Sequence, residues 1–104
     1  MIVVNILDIP GKKFEVLGMV RGSVVRSKHI GRDFMAGIKT IVGGEIHAYT
    51  EMLNEARDIA TKRMVGEAER LCADAVLKVT YETASVMQGA AEVMAYGTAV
   101  KFVN

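Results

Sequence analysis

Apolar residues recur with a helical period in the middle of the chain and with a strand period on both sides of it. Within residues 45–72 the apolar positions follow one another at steps of three, one and four, the spacing of a single stripe along an α-helix. The stripe consists of Tyr49, Met52, Leu53, Ala56, Ile59, Ala60, Met64, Ala68 and Leu71. This segment therefore predicts one long amphipathic helix.

Four segments outside the helix are rich in β-branched and other apolar residues and predict strands. They are residues 2–7, 14–26, 75–83 and 92–103, with Met87 in the loop before the last strand. Gly18 and Gly22 interrupt the second strand, which indicates a bulge, a bend or the close approach of another backbone. Residues 33–41 fit two helical turns that end before a Gly-Gly pair.

The last two predicted strands differ in their alternation. In the third strand Ala75, Leu77, Val79 and Tyr81 alternate with more polar residues, which predicts one buried face. The last strand is apolar on both faces, and a sheet that is apolar on both faces is covered on both. One face carries Met94, Tyr96, Val100 and Phe102, and the other carries Val93, Ala95, Gly97, Ala99 and Val103. Because a single helix covers only one face, this strand favours burial against further copies of the chain.

The order of the elements predicts an α+β fold. A βαββ unit makes a two-layer sandwich in which an antiparallel sheet packs on one long helix, here with an extra short N-terminal strand. The crossover makes the strands before and after the helix run the same way, and the final hairpin reverses the last strand. The last strand then lies between the other two, and a partner subunit can cap the open edge strands. The length of 104 residues, without an internal linker, predicts a single domain over 1–104.

Composition narrows the class of protein. Hydrophobic residues make up 51% and charged residues 24%, which argues against a disordered chain. A single cysteine excludes an intramolecular disulfide and any all-cysteine zinc site within one chain. No apolar run reaches the ~18 residues of a membrane span, and the N-terminus lacks the pattern of a signal peptide. We therefore expect a cytoplasmic protein that does not bind membranes, with Cys72 as a reduced thiol.

The net charge of +1 conceals an uneven distribution. Residues 12–39 sum to +5 and residues 44–74 to −3. These segments are either solvated faces or surfaces that pair between subunits. A sharper alternative is a site for a small anion formed by Arg21 and Ser23 with His29 and Arg32, because arginine binds phosphate or carboxylate through two parallel hydrogen bonds. Near-neutrality and the lack of an aromatic ladder argue against nucleic acid as a partner.

Eight blocks of the sequence together match the pattern of one known family. They are residues 16–23, 29–33, 43–45, 49–53, 55–57, 63–64, 73–76 and 95–100. Over nearly the whole chain they resemble the YbjQ-like family of small proteins. The resemblance implies a dodecin-like βαββ subunit with extra short strands, assembled as a ring-shaped homopentamer. The family is labelled as heavy-metal-binding, and the resemblance carries no enzymatic role. Where the family usually has glycine, this chain has Cys72, at a position that suits a left-handed helix cap.

The candidates for metal binding are few. His47 and Glu51 are four residues apart on the predicted helix and can share a face, but two ligands at that spacing are common by chance. His29 and Cys72 are distant in sequence. The alternative is two surface histidines and a buried thiol. No other cofactor is indicated.

Candidates for catalysis are weaker. Glu45, Tyr49 and Arg57 follow one another at steps of four and eight residues along the predicted helix, where they could bind a substrate or instead clamp the helix onto the sheet or a neighbour. No catalytic triad or pair of acids is recognisable, so the sequence does not favour an enzyme. It favours a homo-oligomeric ring that holds a small anion or a metal ion at its subunit junctions. The alternatives are a purely structural module and, least favoured, an enzyme with its site near Glu45 and Tyr49.

Overall fold

One helix and four strands account for the regular structure of the part of the chain that the structure describes. The structure is a computed structural model; it describes residues 1–27 and 43–104, with the backbone alone for residues 43–47. The elements are β1 (Ile2–Val3), β2 (Lys13–Ser27), α1 (Gly43–Arg70), β3 (Ala75–Met87) and β4 (Ala90–Val103). The helical turns predicted for residues 33–41 lie outside the described residues.

The strands form one sheet in the order β1-β3-β4-β2, with α1 packed on one face. β4 lies between β3 and β2 and is antiparallel to both, as the βαββ order predicts. The α+β fold is therefore confirmed. β1 pairs with β3 in parallel, which makes the sheet mixed. We call the side of the sheet that α1 covers the helix face and the opposite side the bare face.

The core lies between α1 and the helix face. The buried positions of the helix recur every four residues and include three alanines, so the helix packs close to the sheet. Its closest approach is at Gly22, where a Cβ atom would clash with the Ala60 carbonyl oxygen and the Met64 amide nitrogen. Of the three alternatives predicted for Gly18 and Gly22, the close approach of another backbone is the one found at Gly22. This core contains Val20, Val24, Ala56, Ala60, Met64, Ala68, Val76, Val93, Ala95 and Ala99.

A smaller cluster lies on one end of the bare face. The segment between β1 and β2 contributes Val4 and Ile9, which pack in this cluster with Phe14 of β2 and with Val100 and Phe102 of β4. The rest of the bare face has no such cover among the described residues, and Met19 and Val25 are 71% and 57% exposed there. The expectation that both faces of the sheet are covered therefore holds only in part within one chain.

Two irregularities in β3 change which of its side chains face the helix. The register of β3 against β4 shifts between Leu77 and Thr80, and Lys78 has a positive φ of 50°. An extra residue turns every later side chain to the other face. Leu77 therefore packs in the bare-face cluster, whereas Tyr81, predicted to share its buried face, lies on the helix side and is 42% exposed. The single buried face predicted for β3 is thus wrong.

The boundaries of three strands also differ from the prediction. β1 has two residues rather than six, because past Val3 the chain bonds to the irregular part of β3: Lys78 donates to the Ile6 carbonyl and Val79 to the Val4 carbonyl. β3 continues to Met87, which was predicted to lie in the loop, and β4 begins at Ala90. The bulge predicted for β2 is confirmed between Val16 and Gly18.

Cys72, two residues after the end of α1, caps the helix in the left-handed conformation, with a φ of 62°. The Ala73 amide donates to the Ala68 carbonyl and the Cys72 amide to the Glu69 carbonyl, which is the Schellman pattern. A side chain in this conformation is strained, and glycine is not. The cap thus forms around a residue that does not favour it.

Replacing Cys72 with glycine should stabilise the protein. The cap stays intact while the strain of its Cβ is removed, so we expect the free energy of unfolding to rise by about 1 kcal/mol. Urea denaturation at one protein concentration measures the change, and Cys72→Ala is the matched control, because alanine removes the thiol and keeps the strain. Equal stabilities of the glycine and alanine variants would show that φ at this position costs nothing.

Candidate functional site on the bare face of the sheet

The open part of the bare face presents polar side chains in rows across three strands. Arg21 of β2 lies opposite Tyr96 of β4, which lies opposite Thr80 of β3. In the next row Ser23 lies opposite Met94, which is paired with Glu82. Alternation along β2 explains why Arg21 and Ser23 share this face, because Gly22 between them faces the helix.

A hydrogen bond joins the two rows. The Tyr96 hydroxyl donates to Glu82 Oε1 at 2.9 Å. This bond, with smaller contributions from desolvation and the carboxylate charge, raises the pKa of Tyr96. The phenol is therefore protonated at neutral pH and serves as a donor that the carboxylate holds in place.

Beside Tyr96 the bare face forms a shallow depression of about 290 Å³. Its lining is Met19, Lys78, Thr80, Tyr96, Gly97 and Thr98. Arg21 lies two residues after Met19 on β2, opposite Tyr96. Its side chain is exposed and has no ion pair with another described residue. A guanidinium without an ion-pair partner among the described residues, near Lys78 and the Thr98 hydroxyl, can bind a carboxylate or a phosphate.

The other predicted ligand residues are not brought to this face. Tyr49 and Arg57 lie on α1, half-buried and eight residues apart, which is about 12 Å along a helix. The Arg57 guanidinium donates to Asn54 Oδ1 at 2.5 Å. Arg21 and Ser23 thus lie together, whereas Tyr49 and Arg57 belong to the helix layer.

Several predicted residues lie outside what the structure describes. This holds for His29 and Arg32, and for the side chains of Glu45 and His47, whose backbone begins α1. Cys72 is exposed at the C-terminal end of the helix, so the buried thiol considered above is wrong. Among the side chains that the structure describes, no three His, Cys, Asp or Glu residues come together as a metal-binding group.

The sequence pattern did not single out Glu82, Lys78 or Tyr96 as site residues. The hydrogen bond between Tyr96 and Glu82 depends on the register of β3 against β4, which the bulge before Thr80 sets. The one signal available was the alternation of Tyr96 and Thr98 with small residues along β4. That pattern places them on one face but does not identify their neighbours.

A family model described as "Putative heavy-metal-binding" matches residues 1–103. The chain belongs to the YbjQ family. Its relatives include a UPF0145 protein of Clostridium novyi, 58% identical over 101 residues that cover 97% of this chain and 98% of the relative. A UPF0145 protein of Thermus thermophilus is 60% identical over 102 residues, 96% of this chain and 90% of the relative. The family assignment made from the sequence blocks is confirmed.

A solved structure supports the fold of this YbjQ-family chain. A protein of unknown function of the DUF74 family from Pediococcus pentosaceus matches with a TM-score of 0.64 and 14% identity. The match covers 99% of this chain and 98% of that one. At this identity the likeness concerns the fold alone. Within the described residues, no helix is long and apolar enough to cross a membrane.

Proposed function

We propose that this YbjQ-family chain is the subunit of a homo-oligomeric ring, a pentamer, that holds a small anion at its subunit junctions. The observation that carries the ring is the apolar surface that the described part of the chain leaves uncovered. Large hydrophobic side chains are exposed there, with Leu7 at 70%, Met19 at 71% and Met87 at 67%. Soluble monomers rarely expose large contiguous apolar patches, and burial against further copies of the chain covers such surface.

The shape of the molecule supports the same proposal. β2, β3 and β4 have 15, 13 and 14 residues, so the sheet is long, and one helix packs on one of its faces. Among the described residues, most of the bare face and the outer strand edges have no second layer. Exposed apolar side chains lie on these surfaces, among them Met19, Val25, Val86 and Met87. Association with further copies would cover them. The number five comes from the family resemblance.

The anion part of the proposal is supported by Arg21. Its guanidinium is exposed, lacks an ion-pair partner among the described residues, and lies on the edge strand of the sheet. A ring places an edge strand at a junction. An anion that binds there would complete the hydrogen bonds of the guanidinium and, because it binds the folded protein alone, would stabilise it.

Loss of anion binding in Arg21→Ala tests this site. Phosphate and citrate should each raise the melting temperature of the parent protein, and Arg21→Ala should weaken the anion affinity about tenfold or more, because hydrogen bonds to charged groups contribute about 1.5–3 kcal/mol. Differential scanning fluorimetry over a series of anion concentrations measures it. Lys62→Ala is the control, since Lys62 is an exposed cation on α1. An equal shift in all three proteins would refute the site and leave a ring without this ligand.

A metal ion at the junctions is the second candidate, favoured by the description of the family model and by the exposed thiol of Cys72. One chain contributes few ligands, but a ring could assemble one from each subunit. Isothermal titration of the metal-free protein with zinc or copper(I) should release heat, and Cys72→Ser should abolish it. Heat that is unchanged in Cys72→Ser would exclude the thiol as a ligand.

A further inference from the structure

The outer edge of β2 is a long strand edge with no neighbouring strand among the described residues. β2 has 15 residues and ends the sheet. The Ser23 carbonyl accepts a hydrogen bond from Arg63 Nη1 at 2.6 Å, so the peptide groups of Ser23 point outward from the sheet. Because peptide groups alternate in direction along a strand, those of Arg21 and Val25 point outward as well. The edge can accept another strand.

The second free edge belongs to the outer half of β3. The N-terminal segment pairs with β3 as far as Val79, and residues 80–87 have no backbone partner on that side among the described residues. The direction of their peptide groups follows from the way peptide groups alternate along β4. The peptide groups of Gly22 point inward to Ala95 of β4. Those of Met94 and Tyr96, on either side of Ala95, therefore point to β3, where they pair with Glu82 and Thr80.

It follows that Tyr81 and Thr83, which alternate with Thr80 and Glu82, direct their peptide groups to the free edge of β3. Their side chains are also exposed, because α1 lies over β2 and β4 and contacts β3 little. Among the described residues, this half of β3 therefore lacks an edge partner, and Tyr81 contacts α1 through a hydrogen bond with Thr61.

The two free edges are complementary in direction. β2 and β3 are both antiparallel to β4, so they run the same way, and continuing the sheet from one copy to the next brings them together as a parallel pair. Neither edge contains proline, which native proteins use to block such edges. The open bare face carries Arg21, Ser23, Thr80, Glu82 and Thr98 among its apolar residues. These polar side chains interrupt the apolar surface of the face, whereas each strand edge offers a continuous row of peptide groups.

We propose that the ring closes edge to edge, with the outer edge of β2 in one copy paired in parallel with residues 80–87 of β3 in the next copy. This inference rests on the proposed ring and names the two surfaces that form each junction. It covers the free half of β3 and a matching length of β2 at every junction, whereas an antiparallel β2–β2 dimer would leave the β3 edge exposed in both copies. It also places Arg21 at the junction, beside the neighbour's β3.

Proline on either edge should break every junction, because it removes an outward N–H group without taking a hydrogen bond from the sheet. Ser23→Pro blocks the β2 edge and Thr83→Pro blocks the β3 edge. We expect each variant to keep its far-UV circular dichroism and to sediment with the mass of one chain. If either loses that spectrum, Ser23→Lys and Thr83→Lys replace the pair, since lysine on an edge strand also opposes pairing.

Mixing the two blocked chains gives the sharper result. The Ser23→Pro chain keeps its β3 edge and the Thr83→Pro chain keeps its β2 edge, so a 1:1 mixture can form one junction and should give a heterodimer in native mass spectrometry. If the parent protein forms a ring but both variants keep its mass, the edge pairing is wrong and the ring stands. If only Ser23→Pro alters the mass, β2 pairs with β2 and the inference fails. A monomeric parent protein refutes the ring itself.

Discussion

Gly22→Ala should destabilise the protein more than any other single-methyl addition in β2. The new Cβ would clash with the Ala60 carbonyl oxygen and the Met64 amide nitrogen and would lie 2.7 Å from the Arg63 Cβ. These atoms belong to the backbone and base of a 28-residue helix, so they cannot rotate away. Relief requires moving α1 off the sheet, and we expect a loss of about 3 kcal/mol or more in the free energy of unfolding, the upper range for overpacking.

Gly66→Ala is the matched control for this prediction. Gly66 lies within the same helix, and nothing would lie within 4 Å of an added Cβ. Alanine there should stabilise the protein by about 0.5–1 kcal/mol, because glycine is unfavourable inside a helix. Urea denaturation of both variants at one protein concentration gives the comparison. A mild effect of Gly22→Ala, under about 1 kcal/mol, would contradict the close contact between helix and sheet.

Met64→Ala should produce the second large effect. Met64 is fully buried and is the largest such side chain in the described structure. Its neighbours include Ala60 and Ala68 on the same helical stripe, which are too small to fill the space that it would leave. Truncation should therefore lower the free energy of unfolding by about 2–5 kcal/mol.

Met19→Ala separates burial from the general effect of removing a methionine. Met19 is 71% exposed on the bare face, and its truncation should change the free energy of unfolding by less than about 0.5 kcal/mol. Both variants are compared at the same protein concentration, because assembly makes apparent stability depend on it. Similar losses for Met64→Ala and Met19→Ala would mean that α1 does not pack on the sheet as described.

The elements of the fold could be predicted because their determinants are local. The steps of three and four between apolar residues define α1, and alternation in β4 assigns its two faces, with Val93 toward the helix and Val100 away from it. The helical steps and the strand alternation need no knowledge of the partner element. Gly18 and Gly22 could be marked as irregular positions because glycine weakens a strand, but whether each is a bulge or a close contact depends on the element beside it.

The features that the sequence did not reveal depend on pairing between distant segments. The bulge before Thr80 has no signal in residues 77–80, and it moves Tyr81 to the other face of β3. The same shift places Glu82 within reach of the Tyr96 hydroxyl. Arg21 could be singled out from its charge and neighbouring glycine, but its surroundings on the bare face depend on three strands in register.

The central claim is that exposed edges and faces of this chain are junctions between copies. The most direct measurement is the mass of the parent protein in solution, by light scattering after gel filtration at micromolar concentration. The account predicts a single species of five times the chain mass of 11.3 kDa, unchanged on tenfold dilution. A species of 11.3 kDa at these concentrations would contradict it.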